Sequence, residues 1–137
     1  MASKSQKLAQ NLAYYIGADK RCKKASNGAC YYSGLSVPDK DTEGCFVGRL
    51  MTPEMRAKAD EHGLGSVDGL IRKHKDYGIK LPKFIIDNED LMDCFQNIHD
   101  NKNYWTDDHF LTQEGKDRLL LVIKEFKLVK KHFKEFL

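Results

Sequence analysis

Cys45, His99, Asp100 and His109 are the side chains of this sequence with the clearest catalytic potential. Cys45 follows Gly44 and precedes an apolar run. An imidazole from His99 or His109 within hydrogen-bond reach would lower its thiol pKa and make it a nucleophile. Ile98-His99-Asp100 and Asp107-Asp108-His109 flank Trp105, and carboxylates beside imidazoles can hold a divalent ion and activate water. Each group also has a plainer reading. A buried cysteine packs as a small hydrophobe. A cationic His99 suits the C-terminal end of a helix, and Asp107 and Asp108 suit the N-terminal end of the next. Four cysteines and five histidines supply enough ligands for zinc. No pair, however, has the Cys-x-x-Cys or His-x-x-x-His spacing that marks such a site. No metal and no cofactor is expected, and a chain without enzymatic activity is the expectation these residues leave.

A second set of side chains suits binding. Lys20, Arg21, Lys23 and Lys24 form a basic segment, Arg49 follows some distance on, and Tyr31, Tyr32 and Phe46 supply aromatic faces. Basic groups beside exposed rings fit phosphates and stacked bases, although a solvated basic loop over a packed aromatic core accounts for the same residues. The chain has no phosphate-binding loop: Gly63-Leu64-Gly65 is too short and lacks the lysine. Phe133 and Phe136 stand near the last residue of the sequence, where they either fold back onto the core or meet a partner or a second copy of the chain.

These side chains need elements to hold them. Leu8, Leu12 and Tyr15 or Ile16 recur at helical spacing and predict a first helix over 4–16, stopped at Gly17. Ala29–Ser33 and Cys45–Leu50 read as two strands of a small β-hairpin spanning about 29–50, joined by a long polar loop. Thr52-Pro53-Glu54 opens a helix that stops at His62-Gly63, and Ser66 opens another that ends at Tyr77-Gly78. Leu91, Phe95 and Ile98 make an apolar helical stripe behind Asp87 or Asn88. Leu119, Val122, Phe126, Val129, Phe133 and Phe136 are spaced 3, 4, 3, 4, 3, which predicts one long amphipathic C-terminal helix. The fold class expected is therefore α+β, a mainly helical single domain over 1–137 with a small hairpin.

Composition sets outer bounds. The 137 residues carry 41% hydrophobic and 31% charged side chains and a net charge of +3. That is the profile of a globular chain with one core, without the basic excess of a dedicated duplex binder. There is no signal-peptide pattern at the N-terminus and no run long enough to span a bilayer. A cytoplasmic location with reduced cysteines is expected, and a membrane-surface role is not.

The order Cys30-Tyr31, then Gly44-Cys45-Phe46-Val47-Gly48 with Leu50-Met51, then Pro53-Glu54-Met55, Phe95 to His99-Asp100 and Trp105 resembles a family of small, mostly uncharacterised tailed-bacteriophage proteins. Members of that family carry a Cys-Tyr strand, a Gly-x-x-Cys-Ala-Val-Gly segment, and a helix ending in His-Asp. Tyr32 stands where the family has arginine, and Gly44 directly abuts Cys45. The resemblance covers roughly residues 28 to 106. It implies phage origin and action in the cytoplasm of an infected bacterium, and it implies no particular chemistry. The function expected is an accessory protein that binds and inhibits a host protein, such as an antiviral-defence protein, by occlusion. The alternatives are a binder of nucleotide signals or nucleic acid, and a small hydrolase using Cys45 or the His99/Asp100/His109 group.

Overall fold

The computed structural model describes residues 3–20 and 45–137. Contacts group the chain into two compact units, one of residues 1–20 and 97–137 and the other of residues 21–96.

The first unit begins with helix α1, Lys4–Ala13. A reciprocal pair caps it: the Gln6 amide donates to Ser3 Oγ at 3.2 Å, and the Ser3 amide donates to Gln6 Oε1 at 2.8 Å. Leu8 and Leu12 turn inward, as their spacing predicts. The helix ends at Ala13, three residues short of the predicted 16, and a turn leads to Gly17, which at a φ of 71° donates its amide to the His109 carbonyl at 2.8 Å. Beyond a short 3-10 helix, Lys102–Tyr104, an isolated antiparallel bridge pairs Trp105 with Leu111. The buried indole N–H of Trp105 donates to the Ile98 carbonyl at 2.8 Å. A longer helix, Gln113–Glu125, is capped by Thr112, whose hydroxyl accepts from the Gly115 amide and donates to the Asn103 carbonyl.

That helix does not continue to the end of the chain, which corrects the long C-terminal helix. Lys127 takes a left-handed φ of 53°. The Leu128 amide reaches back to the Ile123 carbonyl at 2.9 Å and the Lys127 amide to the Lys124 carbonyl at 3.3 Å. This pair of bonds is the Schellman stop, normally built on glycine. The chain then reverses, the Val129 amide donates to the buried Ser5 hydroxyl at 2.8 Å, and a 3-10 helix, Lys130–Phe136, packs on the first helix. Of the six seam residues, Leu119, Val122, Phe133 and Phe136 are buried, but two separate elements carry them.

In the second unit, Cys45–Leu50 is not a strand. Cys45, Phe46 and Val47 form a turn and Gly48–Leu50 a 3-10 helix. Three consecutive residues are fully buried here, whereas a strand with one wet face would alternate. Their backbone groups find side-chain partners instead of a neighbouring strand. The Val47 amide donates to Gln96 Oε1 at 3.0 Å, and the Arg56 guanidinium donates to the Gly48 and Met51 carbonyls at 3.0 and 3.1 Å. The Ala29–Ser33 partner strand lies outside the described residues. Among the described residues no β-strand occurs, so the chain is mainly helical rather than α+β.

The remaining elements of this unit follow their caps. Helix α2, Pro53–Glu61, starts at Thr52, and helix α3, Val67–Lys73, starts at Ser66; each hydroxyl accepts an amide three residues on. A 3-10 helix, His74–Tyr77, ends at Gly78 in the left-handed region. A single helical turn, α4, Lys83–Ile86, and then helix α5, Glu89–Asp100, complete the order. Leu64, Val67, Leu70, Ile85, Leu91, Met92 and Phe95 are buried here, with Phe46 stacked on Phe95 at 5.0 Å. No helix among the described residues is long and apolar enough to cross a membrane.

Candidate functional site

The structure distributes the sequence-predicted residues unevenly. Arg21, Lys23, Lys24, Tyr31 and Tyr32 lie outside the described residues. Lys20 is exposed, and its ammonium sits over the Tyr14 ring at 4.4 Å. Phe46 is fully buried and Arg49 half-buried, so Phe46 offers no ring to a ligand. Phe133 and Phe136 are also buried, their centroids 6.4 Å apart, and they fold back onto the core rather than facing outward.

The catalytic candidates are divided between the two units. Cys45, at 1% exposure, belongs to the second unit, while His99, Asp100 and His109 belong to the first. A thiol so enclosed must be uncovered before it can attack a substrate. His99 is completely enclosed; its Nδ1 lies 2.7 Å from Asp100 Oδ1, and the Tyr15 ring meets it edge-on at 4.7 Å. These contacts hold the imidazole in place at the end of α5. His109 Nε2 approaches Asp19 at 3.9 Å on the surface, and its backbone carbonyl ties the turn to Gly17. No group of three or more histidine, cysteine or acidic side chains among the described residues could hold a metal ion. On the second unit, Asp93 has its carboxyl pushed above the usual range by partial desolvation and then by the carboxylates of Asp90 and Asp68.

A residue passed over in the sequence, Phe110, provides the most conspicuous surface feature of the first unit. It is 51% exposed. The turn that carries it is pinned at four points: Thr106 amide to Phe110 carbonyl at 2.7 Å, Phe110 amide to Thr106 Oγ1 at 3.1 Å, His109 amide to Thr106 carbonyl at 2.9 Å, and Gly17 amide to His109 carbonyl. His109 itself takes a φ of 68°, a strained conformation for a non-glycine residue. Behind Phe110 runs a groove of about 220 Å³ lined by Ile16, Leu111, Phe136 and Leu137, with Lys116 and Glu135 at its edges. Its lining joins these apolar residues to one cationic and one anionic residue. The signal in the sequence is an aromatic residue directly after Thr106-Asp107-Asp108-His109, a polar run of turn formers.

No protein-family model matches this chain, and neither curated proteins nor solved structures give a match.

Proposed function

We propose that the chain is a non-enzymatic binding protein that covers a working surface of a partner protein, and that the partner is a host protein of an infected bacterium. The phage setting follows from the resemblance of its motifs. The observation that supports binding is Phe110, a half-exposed ring held on a pinned and strained turn above an apolar groove. A large ring kept rigid in water loses little conformational freedom on binding, and such aromatic anchors dominate protein interfaces. The occluding surface in this reading is the Phe110 turn and its groove.

The test uses Phe110→Ser. The wild-type chain is expected to capture a host protein from bacterial lysate and to inhibit that protein's activity at one-to-one stoichiometry once both are purified. Phe110→Ser is expected to raise the Kd of that complex by about tenfold or more, near 1.4 kcal/mol, with an unchanged melting temperature. Capture and inhibition unaffected by Phe110→Ser would overturn this assignment of the surface, and failure to capture any host protein would overturn the function.

A further inference from the structure

Phe110 and the groove behind it form a patch that carries both halves of a contact. The ring lies against bare backbone at Gly17, where a methyl group would sit 3.3 Å from Phe110 Cζ, and the other side of the ring is in water. Its turn is bonded back on itself and to Gly17, so the ring projects from a fixed base. The groove beside it is lined by Ile16, Leu111, Phe136 and Leu137. Ring and groove belong to one unit of the chain, so a single packed body sets the spacing between them.

The charges of the patch are balanced. Lys116, half-buried on the helix Gln113–Glu125, and Glu135, exposed on the 3-10 helix Lys130–Phe136, line the same groove from different elements. Neither is ion-paired among the described residues. This balance is local. Residues 121–137 hold five lysines and two glutamates, which accounts for the whole net charge of +3. Two copies meeting along the lysines of that segment would set like charges together. Across a two-fold axis each residue faces the same patch of the other copy. A patch of one sign therefore repels itself, whereas a patch with one charge of each sign forms its ion pair twice.

We infer that this face is self-complementary and that two copies of the chain pair through it about a two-fold axis. Phe110 of each copy enters the groove of the other, and Lys116 of each meets Glu135 of the other. The inference rests on the reading of the Phe110 turn as an interaction surface and adds its regulation. Pairing covers the surface offered to a host protein, so only the separated chain binds one. Seven residues line the groove, far fewer than the ~20–30 residues a side of a stable interface. The dimer is therefore weak and dissociates on dilution.

The experiment is sedimentation equilibrium of the full chain from micromolar to millimolar concentration. The wild type is expected to pass from monomer to dimer and no further, because a two-fold contact closes on itself. Phe110→Ser, Lys116→Glu and Glu135→Lys are each expected to weaken the dimer by about tenfold or more, with the fold checked by circular dichroism. Lys116→Glu combined with Glu135→Lys exchanges the two charges and is expected to recover the association. Glu135 is exposed, so its reversal measures the charge contact even where Lys116→Glu fails to fold. A wild type that stays monomeric, association that runs past two copies, a dimer unchanged by Glu135→Lys or Phe110→Ser, or a folded double variant that stays monomeric would overturn the proposal. A monomeric wild type that still captures a host protein would remove the pairing and leave the host-binding reading in place. A dimer without capture would do the converse.

Discussion

At the residue scale, the side chains that carry this structure act through one or two defined contacts each, and Asp93 shows how such a contact reaches stability. Its carboxyl is pushed upward first by partial desolvation and then by Asp90 and Asp68. Below the carboxylate range it is protonated in both folded and unfolded chains, so it costs nothing. As pH rises through the unfolded value and past the raised folded one, the native state alone is penalised for carrying the charge. Asp93→Asn is therefore expected to stabilise the protein at pH 7 and to have no effect at pH 3. Because Asp93 is largely in water, screening holds the gain to about 0.3 kcal/mol. Urea unfolding at the two pH values measures it, and an equal gain at both would show that charge is not the cause.

The catalytic candidates teach a related lesson. Cys45, His99 and His109 are residue types that do chemistry, and the sequence shows them as such. Whether they do it depends on access and company, which composition and spacing do not carry. His99 is enclosed with Asp100 and Tyr15, and Cys45 is enclosed beside Phe46, in a turn whose backbone bonds run to Gln96 and Arg56. Asp100 adjoins His99, but Tyr15 and Gln96 are distant in sequence from the residues they hold, so no local pattern announces the enclosure.

At the scale of elements, beginnings were more legible than ends. Thr52 and Ser66 each cap a helix by accepting an amide three residues on, a contact closed within one turn; the last helix instead starts at Thr112, and Asp107 and Asp108, read as its N-terminal end, lie in the turn before it. The stops at Gly63 and Gly78 were legible too, since glycine takes the left-handed region without penalty. The stop at Lys127 was not, because a lysine there looks like helix. Its two Schellman bonds form nonetheless, since the reversal lets Leu128, Phe133 and Phe136 become buried. Lys127→Gly relieves the left-handed cost and is expected to stabilise the protein by about 1 kcal/mol. In an unbroken helix the same change would destabilise by about that amount. The sign of the shift in thermal midpoint separates the two.

Gly115 makes the opposite case. It sits in the first turn of Gln113–Glu125, where alanine has the higher helix propensity. A methyl group there would lie 2.5 Å from the Tyr104 carbonyl oxygen and 3.0 Å from Tyr104 Cβ. The helix and the 3-10 helix Lys102–Tyr104 pack this closely because position 115 has no side chain. Gly115→Ala is expected to lose stability by about 1–3 kcal/mol despite the gain in propensity, measured by chemical denaturation. A stabilised variant would show that the two elements can part without cost.

At the scale of the whole molecule, the distinction that matters for function is which rings are spent on the core and which remain for a partner. Phe133 is fully enclosed and Phe110 half exposed. Phe133→Ala is expected to cost about 3–5 kcal/mol in unfolding free energy, so its effect on any binding would report the loss of the fold. Phe110→Ser leaves the core intact. Denaturation of the two variants side by side checks this ordering, and equal losses would place Phe110 in the core.

The sequence by itself determined where most helices begin, which residues on Lys4–Ala13 and around Leu91, Phe95 and Ile98 turn inward, and that glycine ends two of the elements. Those features rest on side chains and backbone groups within four residues of one another, so the pattern contains the whole interaction. Only the tertiary structure decided that Cys45–Leu50 curls instead of extending, that the chain reverses at Lys127, and that Phe110 rather than Phe133 meets solvent. Each of those outcomes depends on groups far apart along the chain. The Val129 amide on the Ser5 hydroxyl, 124 residues away, is the plainest of them.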